Sequence, residues 1–598
     1  MRNATSWGGL WTFVLCACGG ATVTFPDAGD DSGAPDATLP PDGGSPDGAA
    51  TDGGADAPAA DGGADACGPT QCSPSTHEIL DCNGQVLATC AANEACDVQQ
   101  IKCVPACQAQ PNNRQSTGCD FWPAYLDVYN GVSLKCHAVV VANTWGANAK
   151  LAVDYNGQSL TVANFARLPQ GSGMSLTYAA YDPMTGLKPG EVAILFLAGG
   201  TGAGVGCPVA PAINGTSPML VGTTMGKAFH LTSDLPVAVY QINPYGGGGA
   251  AVTGASLLLP STAWGSNYVA NTASPFQIAP PAFDVVAAEN NTQVKVLPTV
   301  AVTGGGGVPN GPANQTLTFN LNAGEVAQLS QNADLAGSII ETSKPVGVFS
   351  SSACMNVPTG TGFCDHGEQM LLPIKALGSE YAAVPYRARS NEPSLWRVVG
   401  AVAGTTLTYS PAVNGAPSAV GKGQFVDFEA PGPFVVNSQD AAHPFELLAY
   451  MSGGAWVKLS QQGWGDPDHV VVTPPGQFLR SYVFFSDPTF PETNLVVVRA
   501  KNGNAFEDVN LDCLGKLGGW TALGASYEWT RTDLQTGNYQ AVGNCSNGRH
   551  TIDSKGPFGI SVWGWGAPST NPPSPYVSYG YPGGTNVRAI NNVVVPAQ

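Results

Sequence analysis

The chain has 598 residues, a length that divides into several cores rather than one. Charged residues make up only 11% of it while Gly and Pro number 75 and 48, a mix suited to short strands and tight turns rather than salt-bridged helices. The formal net charge is −19 with no clustered Lys and Arg, which excludes nucleic acid as an expected partner because phosphate recognition needs a basic patch.

At the N-terminus Arg2 precedes the apolar run Gly9 to Ala17, GLWTFVLCA. The run is too short to span a bilayer and reads as an export signal over residues 1–17. It ends in LCACGG, with Leu15, Ala17 and Cys18 spaced as in a bacterial lipobox, so cleavage after Ala17 and acylation of Cys18 are expected. A plain secretory signal is the competing reading. Acylation of this kind gives stable attachment, which predicts a protein anchored by lipid at the cell envelope, at the outer membrane or surface of a Gram-negative bacterium. No later segment reaches about 18 apolar residues, so no spanning helix is expected.

Residues 18–66 contain ten Asp and neither Lys nor Arg, and cannot bury enough apolar surface to offset chain entropy. They read as a disordered acidic tether; the recurring DGG and PDG fit neither calcium-loop pattern. Cys67, Cys72, Cys82, Cys90, Cys96, Cys103 and Cys107 then crowd into 67–107. With export assumed, this is a disulfide-rich module whose connectivity spacing does not fix. Zinc is the alternative, but no CxxC knuckle occurs and His77 is the sole local His.

From residue 119 onward a pattern repeats. A Pro followed by an apolar strand occurs in SDLPVAVYQINPY (Pro236), TSKPVGVFSSS (Pro345), AAHPFELLAYMSGG (Pro444) and SKGPFGISVWGWG (Pro557). β-rich openings, Gly-led strands and trailing segments such as LLLPSTAWGSNYVA and MLLPIKALGSEYAAVP keep step with it. The alternation is period two, so the expectation is all-β: four tandem antiparallel units of roughly 110 residues at 119–275, 276–388, 389–488 and 489–598. Each suits a sandwich; a propeller-like closed ring is the alternative.

The segment PVGVFSSSACMNVPTGTGFCDHGE gathers Cys354, Cys364, Asp365, His366 and Glu368. A zinc site, a Cys/His nucleophile and a disulfide-stapled loop compete for it. Outside the cytoplasm the thiols oxidise, and the spacing matches no common zinc site, so the bridge is preferred. His366 then reads as a loop anchor and Asp365 as an Asx-type turn residue. Cys513 and Cys545 are expected to pair. Cys107, Cys119, Cys136 and Cys207 suffice for two bridges around the first unit, one of them tying the module to the array. The GGGG runs lack a following GK[ST], and neither GxSxG nor HExxH occurs, so no active site, metal or cofactor is expected. Trp145, Trp563 and Trp565 could stack on sugars, though core packing or strand-edge cover is the commoner fate of such rings.

The stretch SKPVGVFSSSACMNVPTGTGFCDHGEQMLLPIKALGSEYAAVPYR resembles the N-terminal domain of the IgGFc-binding protein family. There a "PV-V" strand precedes a Cys, a short Gly/Pro loop, Cys-Asp-His and a "LP…LG..Y" strand; Cys354, Cys364, Asp365, His366, Pro373, Gly378 and Tyr381 match that order. GCDFWPAYLDVYN, from Cys119 on, is similar to the start of this domain in bacterial lipoproteins. The resemblance covers most of 119–598, and the tether and module suit myxobacterial-type surface lipoproteins. It implies a non-catalytic binding or adhesion protein with an extracellular protein or glycan ligand; the Fc ligand of the animal namesake does not carry over by itself. A secreted hydrolase, for instance carbohydrate-active, and an envelope scaffold are the alternatives.

Overall fold

A computed structural model describes residues 69–129, 134–202, 205–272, 279–392, 394–457 and 463–598. The signal, Cys18, the tether and Cys67 lie outside the described residues. The chain is all-β, with short 3-10 turns and the helix Ala106–Asn113 between strands. Among the described residues no helix is long and apolar enough to cross a membrane.

The Pro-led segments form the backbone of each unit. In the first, the long strand Phe229–Ile242 pairs through its first half with Leu151–Tyr155 and Gly118–Phe121, and through its second half with His137–Asn143 and Ala255–Leu258. In the second, Ile339–Met355 pairs likewise with Thr292–Leu297 and Gly265–Val269, then with Pro281–Ala287 and Asp365–Met370. In the fourth, Gly548–Trp565 pairs with Leu479–Ser486 and Val509–Leu511, then with Glu492–Ala500 and Ser578–Pro582. In the third, the strand breaks into Phe434–Ser438 and Phe445–Met451, with Pro444 in the gap. One strand thus serves both faces of a sandwich. The register shifts at Pro236, Pro345 and Pro557, where neither ladder needs the N–H that Pro lacks.

Burial follows position. The outer strand Leu317–Leu321 alternates buried and exposed, whereas His137–Asn143 and Val192–Gly199 are buried on both faces. Phe196 is covered by Tyr178 and Tyr245 of its own unit, whereas His137–Asn143 also meets Leu479–Ser486, and the units close on one another. The last hairpin strands, Ala255–Leu258, Asp365–Met370, Asp468–Val471 and Ser578–Pro582, pack first on second, second on third, third on fourth and fourth on first. The sandwich and ring descriptions are therefore both met: sandwich-like units joined into a closed ring.

The unit boundaries differ from the sequence expectation. Gly265–Val269, Glu380–Ala383 and Leu479–Ser486 pair within the following unit, so the hand-over falls upstream of 275, 388 and 488, at the 3-10 turns Ser261–Ala263, Ile374–Ala376 and Pro475–Gln477. The trailing segments read as one motif because a hub strand, a turn and the next unit's first strand follow without interruption.

That next strand carries a repeated corner. Tyr268 Oη accepts the Gly265 N–H (2.9 Å) and donates to the carbonyl of Val346 (2.8 Å), the residue after Pro345. Tyr381 does the same with Gly378 (3.1 Å) and Phe445 (2.6 Å). Tyr482 bonds Leu479 and Phe558 equivalently, and in the first unit Phe121 stands three residues after Gly118 in place of the tyrosine. The tyrosine hydroxyl thus fastens the strand where the Pro interrupts its ladder.

The cysteine module is tied by Cys72–Cys96 and Cys90–Cys103, and Cys82 is disulfide-bonded too. Cys107–Cys119 links the module to the first unit, where Cys136 pairs with Cys207. Arg114, after the module's helix, donates to the carbonyls of Ala263, Trp264 and Val587, joining the module to the second unit's turn and to the C-terminal tail. The tail continues across the ring: Asn591 donates to Ile374 and Leu377, Val595 to Asn267, and Ala597 to Glu341.

Candidate functional site: a buried polar hub

The segment that looked most chemical sits at the centre of the ring. Cys354 is bonded to Cys364, closing a short loop over which Asn356 donates to the carbonyls of Thr361 and Phe363, both at 3.0 Å. The bridge delivers the chain into the hub strand Asp365–Met370, which is buried throughout. Ser350, Ser351 and Ser352 face Gln369, Glu368 and Gly367 across the ladder, so small side chains on one strand leave room for large polar ones on the other.

Each polar residue of this strand reaches another unit. Asp365 accepts the N–H of Thr253 from the first unit and of Ser578 from the fourth, each at 3.1 Å. Gln369 donates to the carbonyls of Ala255 (2.8 Å) and Gly580 (2.7 Å) in the same two units. Glu368 accepts from Gln241 of the first unit at 2.7 Å. His366 Nε2 lies 3.2 Å from the same carboxylate oxygen and 3.5 Å from the Asn243 carboxamide nitrogen of the first unit. From the third unit, His469 Nε2 lies 3.1 Å from Ser350 Oγ, and the Asp466 N–H donates to Ser578 Oγ at 2.9 Å. Asp365 and His366 are therefore bridging residues between units, not a surface turn and a loop anchor.

Burial dominates the electrostatics. It pushes the Asp365, Asp468 and Asp284 carboxyls well above the usual range, and neighbouring carboxyls add to the effect. Asp466 is pushed up to about 7 and, farther out in the third unit, Glu446 to about 8, again chiefly by burial. The same cause lowers His469 and His137 to about 3. Neutral carboxyls and neutral imidazoles can share a dry centre by hydrogen bonding, where full charges would carry a large desolvation penalty.

Catalytic and metal readings fare poorly on this geometry. A nucleophile at Cys354 is blocked by its bond to Cys364. Among the described residues, three metal-capable groups converge only at Asp512, Cys513 and His550, but Cys513 is bonded to Cys545. There His550 Nδ1 lies 3.0 Å from Asp512 and Nε2 2.6 Å from the Ser546 carbonyl, so both ring nitrogens are engaged. The three tryptophans singled out for sugar stacking are interior: Trp145 is 6% exposed, Trp563 1% and Trp565 0%. Trp145 lies 4.2 Å from the His77 ring of the cysteine module, and the Arg387 guanidinium covers Trp565. The sugar-contact alternative is corrected and the commoner fate, core packing, is met: these rings bury apolar area between elements and present no face to a ligand. Sequence reasoning missed Gln241 and Ser256, whose only signal was a polar residue in an apolar run; the Ser256 hydroxyl accepts the Met370 N–H at 2.9 Å. It also missed Gln369, beside the Asp-His-Gly-Glu run it had singled out.

The family model described as IgGFc binding protein matches residues 254–564, just over half the chain, running from the first hub strand into the long strand of the fourth unit. This chain belongs to that family. It is similar to the human IgGFc-binding protein, 26% identical over 391 residues, which is 63% of this chain and 7% of that protein. The chain thus corresponds to a small part of its much longer relative. No solved structure matches it. Within the family frame, the Cys-loop-Cys-Asp-His sequence is the second unit's contribution to the hub that holds the ring together.

Proposed function

We propose that the chain is a non-catalytic binding protein, tethered to the cell envelope through an acylated Cys18 and an acidic spacer, whose ligand is an extracellular protein or glycan. The observation that carries the reading is the burial of Asp365, His366, Glu368 and His469 in contacts between units. The residues most capable of chemistry are spent on building a rigid body, and its outward turns are what remains to meet a partner. A binder benefits from such rigidity because little ordering is needed on contact. The human relative's name supports an extracellular protein ligand in this family and is one candidate to be tested.

The test is to express the full chain on cells and probe it with IgG Fc, envelope glycans and surface proteins of neighbouring cells. Saturable capture of one class, with no turnover of it, supports the reading. Hydrolysis of a glycan or peptide, or no capture of any class, overturns it in favour of an enzyme or a scaffold. In parallel, Cys18→Ser is expected to release the protein from the membrane fraction; retention would remove the lipid anchor from the proposal.

A further inference from the structure

Although the expected tryptophans are interior, another aromatic residue lines a pocket at the surface. A cavity of about 400 Å³ between the first and second units is bordered by Trp122, Asp154, Asn156, Lys227, His230 and Gly324. This volume lies within the range of small-ligand sites.

Its aromatic wall is fixed by one carboxylate. Asp120 accepts the Trp122 indole N–H at 2.9 Å and lies 3.0 Å from His230 Nε2, and the two rings stack at 4.0 Å with planes 9° apart. Burial pushes the Asp120 carboxyl up, but hydrogen bonds from His230, Ser261 and Trp122 outweigh it and hold the group below the usual carboxylate range. The wall is thus set before any ligand arrives.

The polar rim is equally built. Asp154 is directly opposite His230 in the antiparallel ladder, which puts both side chains on one face. Asn156 and Gly157 form the tight turn after that strand, with φ of 50° and 75°, the left-handed pair that a two-residue hairpin requires. The Asp154 carboxylate and the Asn156 carboxamide bond to no other side chain among the described residues. Opposite them Gly324 has φ +77°, and a Cβ there would come within 3.2 Å of the Trp122 ring. Any side chain at that position would crowd the aromatic wall.

The chemistry selects a ligand class. A tryptophan wall suits the C–H face of a pyranose, while a free carboxylate and a free carboxamide suit neighbouring hydroxyls. Lys227 is paired with Glu325 at 3.0 Å, so the rim carries no surplus cation for an acidic ligand. We propose that this pocket is a carbohydrate site that takes a neutral hexose, stacked on Trp122 and hydrogen-bonded by Asp154 and Asn156. The proposal rests on the binding-protein reading above and names its ligand class.

The experiment titrates the full chain with glucose, galactose, mannose and N-acetylglucosamine, reads saturation-transfer NMR and tryptophan fluorescence, and follows with a glycan array. At least one neutral sugar is expected to bind. Trp122→Ala and Asp154→Asn should each weaken it by about tenfold or more, and Gly324→Val should exclude it. Asp154→Asn is nearly isosteric at the rim, so it tests the site even if Trp122→Ala unfolds. Neutral sugars that leave the protein unperturbed, or binding that survives Asp154→Asn and Gly324→Val, would overturn the site. If protein or Fc is captured while sugars are not, the site fails and the binding function stands; if nothing is captured, both fail.

Discussion

Asp365 of the second unit accepts the N–H of Ser578 in the fourth at 3.1 Å, across 213 residues of sequence, while its other oxygen accepts the N–H of Thr253 in the first. A single buried carboxyl therefore satisfies backbone donors of two units at once. Removing it leaves donors without partners in a dry centre, which costs more than the bond itself contributes. Asp365→Ala is expected to destabilise the protein by about 3 kcal/mol or more, and Asp365→Asn, which keeps one acceptor oxygen, by about 1–3 kcal/mol. Urea midpoints measure both. A wild-type midpoint for Asp365→Ala would refute the bridging role.

The buried carboxyls also set a pH dependence. Glu446, pushed up to about 8, and Asp466, up to about 7, keep protons in the folded state that the unfolded chain releases near pH 4. The folded state therefore binds more protons, and stability falls as pH rises from about 4 to about 8. His137 and His469, lowered to about 3, act oppositely, but only below their unfolded value of about 6.5. Between pH 6.5 and 8 the carboxyls act without that opposition. Stability should decline across this window, and Glu446→Gln should flatten the decline by up to about 1.4 kcal/mol per pH unit. Parallel wild-type and variant curves would show that Glu446 is ionised in the fold.

The tyrosine corner offers a test the sequence itself suggests, since the first unit carries Phe121 where the others have Tyr268, Tyr381 and Tyr482. Tyr381 is fully buried and its hydroxyl satisfies both the Gly378 N–H and the Phe445 carbonyl. Tyr381→Phe and Tyr268→Phe should each lower stability by about 1–2 kcal/mol, with fold and far-UV signature retained. A loss below about 0.3 kcal/mol in both would mean that water replaces the hydroxyl and that the corner is incidental.

What was legible in the sequence follows from what is local. Pro236, Pro345, Pro444 and Pro557 advertised the repeat because a missing N–H restricts a strand wherever it occurs. The all-β class came from period-two alternation for the same reason. The hub was not legible, because Gln241, Gln369 and Asp468 look like solvent-facing positions of an alternating strand until ring closure buries them. Trp563 and Trp565 left two fates open for the same reason: a strand face at i and i+2 does not say what covers it, and here they pack against Tyr386 of the neighbouring unit. The Trp122 pocket needed tertiary structure outright, since Asp120, Asp154 and His230 meet across strands far apart in the chain.

The Cys354–Cys364 bridge can be separated from the hub it introduces. It closes a loop of sequence separation 10, for which chain entropy predicts about 2–3 kcal/mol of stabilisation. The loop has other ties: the Gly453 N–H donates to the Val357 carbonyl at 2.7 Å, and the Phe363 ring stacks on Tyr576 at 4.3 Å. The hub bonds of Asp365, Glu368 and Gln369 involve neither cysteine. The double variant Cys354→Ser/Cys364→Ser should therefore fold and keep its slope of stability against pH, with stability lower by about 2–3 kcal/mol. Non-reducing peptide mapping of the wild type should find both thiols oxidised. If the double variant instead loses the pH slope along with stability, the bridge and hub form one unit, and the loop serves to position Asp365 rather than merely to precede it.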